Sequence, residues 1–127
     1  MIKLREILNT IFKEYPIASD IVDGRNVGDN IDNTSSISAS LNNYKILKGI
    51  REVPMSDFSV TGNHYSVQGD KRIEQLANQI NDSNMISPLI VVIDKDGPYV
   101  LEGGTRLSAL YRLHAKSFPA LVVIDYD

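Results

Sequence analysis

Apolar and polar positions follow two regimes along the chain, and the change comes near Gly49. Beyond it the apolar residues recur at the spacings of regular elements. Ile50 to Met55 suggests a short strand, and Pro54, which has no N–H to give a ladder, puts that strand at an edge or at its own end. Asp70 to Asn81 carries Ile73, Leu76, Ala77 and Ile80 as one stripe at the helical period, with Asp70 placed to cap it. Leu89-Ile90-Val91-Val92-Ile93 is an unbroken apolar run, the pattern of a strand covered on both faces. Asp94-Lys95-Asp96-Gly97 then reads as a turn and Tyr99 to Leu101 as the return strand of a hairpin. A second helix is expected over Thr105 to His114, burying Leu107, Leu110 and Tyr111, and a last strand over Ala120 to Ile124. The predicted order, β-α-β-β-α-β, belongs to the α+β class and by itself fits a ferredoxin-like sandwich.

Before Gly49 the pattern is looser. Leu4, Ile7, Leu8, Ile11 and Phe12 stand at helical spacing, with Lys3, Arg5, Glu6, Lys13 and Glu14 mostly on the other face. Those balanced charges suit a helix that packs on its own domain or on a protein partner, a second copy included, better than one lying on a membrane. From Asp20 to Asn43 the chain is rich in turn formers (Asp23-Gly24, Gly28-Asp29-Asn30, Asn33 to Ser36) and reads as an irregular arm. Ile31, Ile37, Leu41, Tyr44, Ile46 and Leu47 are its available anchors. The expected organisation is an N-terminal helix and arm over 1–48 and a main domain over 49–127.

At 127 residues, 43% hydrophobic and 23% charged, the chain is large enough for one compact domain with a real core. A formal charge of -3 argues against a broad basic surface for nucleic acid, while leaving room for a local cationic pocket. With no cysteine, disulfides, thiolate metal sites and cysteine nucleophiles are excluded. No apolar run approaches the length of a membrane span and the first residues lack a signal-peptide apolar region, so a cytoplasmic protein without membrane attachment is expected.

Candidate chemistry concentrates where the hairpin meets the second helix, at Glu102-Gly103-Gly104-Thr105-Arg106. Glycine admits close approach to the backbone, and the first N–H groups of a helix have no intrahelical acceptor, so such a junction favours an anion. Arg106 would add a full positive charge, and Thr105 is placed both to cap the helix and to touch phosphate. Glu102, just before the glycines, is a candidate to activate a water or hold Mg²⁺, and His64, in a polar loop, a candidate general base. His114 is read as a structural cation at a helix end. The histidines show no metal-ligand spacing, and no metal ligand set is assigned.

Residues 49 to 125 resemble the ParB/sulfiredoxin superfamily in four ordered segments. These are Val53-Pro54-Met55-Ser56-Asp57-Phe58, the helix Ile73 to Ile80, the run Met85-Ile86-Ser87-Pro88-Leu89-Ile90-Val91, and the turn Gly103-Gly104-Thr105-Arg106-Leu107-Ser108-Ala109, with Phe118 to Val123 fitting the closing strand. The resemblance implies a mixed sheet with two main helices that binds nucleotide phosphates, of ATP or CTP, at Gly103, Gly104, Thr105 and Arg106. It also implies a contribution from Arg72, Gln75 and Gln79, whose spacing puts them on one helical face. The departures are specific. Sulfiredoxin's cysteine aligns with Gly104, so sulfinic acid reduction is excluded. Gly104 and Thr105 replace the Glu and first Arg of the partition proteins' Gly-Glu-Arg-Arg, and Asn63-His64-Tyr65-Ser66 stands near where their Asn-Pro-Arg would be. Specific DNA binding is therefore not expected. The leading expectation is a nucleotide-phosphate-binding domain, an NTPase or phosphotransfer enzyme; the alternatives are a ParB-like metal-dependent nuclease and a non-catalytic interaction module or toxin-like effector.

Overall fold

A computed structural model describes residues 15–31, 33–58 and 70–127, with Asp70 described by its backbone alone. The expected N-terminal helix through Leu4 and Phe12, and the candidate base His64, lie outside the described residues. The elements are β1 (Ile21–Val22), β2 (Arg25–Val27), α1 (Ser35–Ser40), β3 (Tyr44–Ile46), β4 (Arg51–Pro54), a 3₁₀ turn (Met55–Asp57), α2 (Asp70–Ser83), β5 (Met85–Ile86), β6 (Leu89–Asp94), β7 (Gly97–Glu102), α3 (Gly104–Arg112) and β8 (Ser117–Asp125). The class is mixed α+β, with two sheets.

β8 is the centre of the larger sheet. It pairs in parallel with β6, from Leu89 opposite Ala120 to Ile93 opposite Ile124. Its other edge is shared by β3 and β4, both antiparallel to it. β7 closes the far side as the antiparallel partner of β6. The unbroken apolar run of β6 follows from this position, since a period of two sends alternate residues to opposite faces and both faces are covered. Leu89, Val91 and Ile93 join Phe118, Ala120, Val122 and Ile124 beneath Ile73, Ala77 and Ile80 of α2 and Leu107 and Leu110 of α3. Ile90, Val92 and Val123 face the opposite way, onto Ile37 and Leu41.

That second layer corrects the expectation of an irregular arm over Asp20 to Asn43. The segment holds β1, β2 and α1, and Ile37 is 2% exposed. Asp23 and Gly24, with φ of 50° and 79°, form the two-residue turn between β1 and β2. β2 then runs parallel to β5 as the middle of the small sheet. Of the expected anchors, Ile37, Leu41 and Leu47 are buried, whereas Ile46 is exposed. Each strand is too short to show a period of its own, so its pairing is decided by partners far along the chain.

Two further details differ from the expected pattern. Tyr111 does not enter the core but is 52% exposed, and the completely buried Ala109 lies under α3 instead. α3 also stops at Arg112; His114, at φ 58°, follows it, and its N–H donates to the Tyr111 carbonyl. Asn84 ends α2 in a similar left-handed conformation, donating to the Ile80 carbonyl. The chain then turns directly into β5 and β6, and α2 packs beside α3 over the sheet.

Candidate functional site

The loop between β7 and α3 is set by Gly103, which lies at φ 107°, a left-handed conformation that glycine adopts without the Cβ penalty. Space makes the same demand. A Cβ built there would stand 2.6 Å from Cγ of Leu89, so the backbone of the turn rests directly on the core. Gly103 is also the N-cap residue of α3, and its carbonyl accepts the first helical bond from the Leu107 N–H at 2.9 Å. The N–H groups of Gly104, Thr105 and Arg106 consequently have no acceptor within the helix. Thr105 lies inside the helix, after the N-cap, which corrects its expected capping role.

Arg106 holds the turn from the other side. Its Nη1 donates to the carbonyls of Ser87, at 2.8 Å, and Pro88, at 3.2 Å, in the link from β5 to β6. These half-buried bonds fasten the start of α3 to the start of β6, so Arg106 has a structural task as well as its charge. Just upstream the β6–β7 ladder slips by one residue: Val91 faces Val100 while Ile90 faces Glu102, leaving Leu101 as the extra residue of a bulge. A bulge resets the alternation of a strand at the point where it occurs, here the last step before the turn.

On α2, Arg72, Leu76 and Gln79 follow one another at intervals of four and three residues, with Gln75 alongside, and so share a face. That face stands across from the turn. Together they enclose a cleft of about 500 Å³ lined by Arg72, Gln75, Leu76, Gln79 and every residue from Glu102 to Arg106. All of the named candidates except His64 therefore meet in one place. Leu76 is the residue that the sequence reading assigned to the core alone. The signal for its second role is its interval of four from Arg72.

The described lining offers two guanidinium groups, two amides, one hydroxyl, the N–H groups of Gly104 and Thr105 at the start of α3 and a single carboxylate, Glu102. Such a set donates more than it accepts and suits an anion. Among the described residues no three His, Asp or Glu side chains gather to hold a metal ion. Mg²⁺ commonly binds through one or two carboxylates plus substrate phosphate oxygens, so the donor set fits that ion through Glu102 and a bound phosphate. Among the described residues no helix is long and apolar enough to cross a membrane. Comparison of the chain with protein families, with curated proteins and with solved structures finds no match.

Proposed function

We propose that the chain is a nucleotide-binding domain that holds phosphate in the cleft between α2 and the β7–α3 turn. The observation that carries this reading is the convergence of Arg72, Gln75 and Gln79 with Gly103 to Arg106 on one cleft, although the 23 residues 80–102 separate the two sets in sequence. The N–H groups of Gly104 and Thr105 at the start of α3 and the Arg72 guanidinium supply donors and positive charge for phosphoryl oxygens. Gln75 and Gln79 supply directional hydrogen bonds further along the groove. Glu102 is the one described side chain there able to accept a proton from a water or ligand hydroxyl, or to share a Mg²⁺ with a phosphate. The resemblance to the ParB/sulfiredoxin superfamily, in the same turn and the same helix, points to ATP or CTP as the first nucleotides to try.

Thermal unfolding with ATP, CTP, GTP, ADP and AMP, each with and without Mg²⁺, tests the proposal. A ligand present at 100 times its dissociation constant stabilises the native state by about 2.7 kcal/mol. An unchanged transition with every nucleotide at millimolar concentration contradicts it.

A further inference from the structure

We infer that the cleft takes a single phosphoryl group on a neutral, hydrogen-bonding body, a nucleoside or sugar monophosphate, in preference to a metal-free triphosphate; this rests on the phosphate-binding reading above. The charge of the lining carries the inference. Arg72 and Arg106 against Glu102 leave one net positive charge among the described lining residues. Nη1 of Arg106 is already engaged by the Ser87 and Pro88 carbonyls.

A phosphate monoester carries about 1.5 to 2 negative charges near neutrality, against one net positive charge from the described lining side chains and about half a charge from the start of α3. A triphosphate brings two more phosphoryl groups into the same cleft, where Glu102 repels them. The polar groups also ask for more than phosphate. Phosphate oxygens need only donors, yet the amide oxygens of Gln75 and Gln79 and the carboxylate of Glu102 are acceptors and require N–H or O–H groups from the ligand. Sugar hydroxyls or a base amino group answer that need, and Leu76 offers an apolar wall between Arg72 and Gln79. The stretch of α2 from Arg72 to Gln79 spans about 10 Å, room for one phosphate and the body attached to it.

Calorimetric titration at low salt in EDTA, with AMP, ATP, ribose 5-phosphate and inorganic phosphate, tests the inference. AMP is expected to bind at least about tenfold more tightly than ATP, and inorganic phosphate more weakly than either monoester. Equal binding of AMP and ribose 5-phosphate supports a sugar monophosphate, and tighter AMP supports a nucleoside monophosphate. Glu102→Gln should narrow the gap between AMP and ATP by strengthening ATP. Gln79→Leu, which keeps the charge of the lining, should weaken AMP by a larger factor than inorganic phosphate. If ATP binds more tightly than AMP without metal, or inorganic phosphate binds as well as AMP, the inference is overturned while phosphate binding stands. If none of the four ligands binds, both are overturned.

Discussion

Gly103 lies against Leu89 so closely that a Cβ on the glycine would approach Cγ of the leucine to 2.6 Å. The turn that borders the cleft is thus seated on a fully buried side chain at the first position of β6. Site and core share this contact, so the position of the first turn of α3 depends on the packing beneath it.

Gly103→Ala should therefore be more destabilising than Gly97→Ala. Both glycines have positive φ, 107° and 113°, but a Cβ at Gly97 meets nothing within 4 Å. The left-handed conformation costs an alanine about 1–2 kcal/mol at either position. Overpacking at Gly103 should add about 1–3 kcal/mol. Urea unfolding of the two variants measures the difference, and equal losses would show that the Leu89 contact relaxes freely.

Arg106→Ala should lower stability by about 1–3 kcal/mol, because it removes the donor shared by the Ser87 and Pro88 carbonyls. Arg72 lies on the exposed side of α2, and its replacement by alanine should change stability by no more than about 0.5 kcal/mol. Chemical denaturation separates the two arginines. Equal stability of both variants would mean that the Arg106 bonds contribute little to the fold.

Ile37→Ala should cost about 2–5 kcal/mol, the range for a truncated core residue, because this side chain is 2% exposed and packs with Ile90, Val92 and Val123. Tyr111→Ala, at an exposed site, should stay within about 0.5 kcal/mol. Denaturant titration of both variants tests whether the early segment belongs to the core. A loss below 1 kcal/mol for Ile37→Ala would restore the picture of a loosely pinned arm.

Backbone exchange offers a separate check on that segment. The Leu47 N–H donates to the Val122 carbonyl at 2.8 Å, and the Gly28 N–H to the Ile86 carbonyl at 2.8 Å. Hydrogen exchange should find both amides protected, with Leu47, which bonds to the central strand, the slower of the two. Exchange at Leu47 as fast as in an unstructured peptide would contradict its place in the large sheet.

The elements legible in sequence were those whose pattern is local. The run Leu89 to Ile93, the stripe Ile73, Leu76, Ala77 and Ile80, and the turn Asp94 to Gly97 each carry their own periodicity or turn chemistry, and each lies within a matching element or between two. Strands of two or three residues such as β1, β2, β3 and β5 have none; long-range pairing with β8, or within the small sheet, makes them. The Asp23-Gly24 pair was visible as turn formers, and as a dipeptide suited to two successive positive φ values it was also the clue to the β1–β2 hairpin. In the site, the glycine junction and the polar face of α2 could be named beforehand. Which glycine takes the strained conformation, the bulge at Leu101 and the attachment of Arg106 to Ser87 all depend on residues brought together by the sheet.

The most direct measurement is calorimetric titration of AMP into the unmodified chain and into Arg72→Ala. If the cleft holds phosphate through Arg72 and the start of α3, the unmodified chain binds and Arg72→Ala loses about 1.5–3 kcal/mol of binding free energy, roughly a tenfold or greater rise in Kd, without loss of stability. Equal affinities of the two proteins for AMP, or no binding of AMP, ATP or inorganic phosphate to the unmodified chain at millimolar concentration, would contradict the claim that this cleft is a phosphate site.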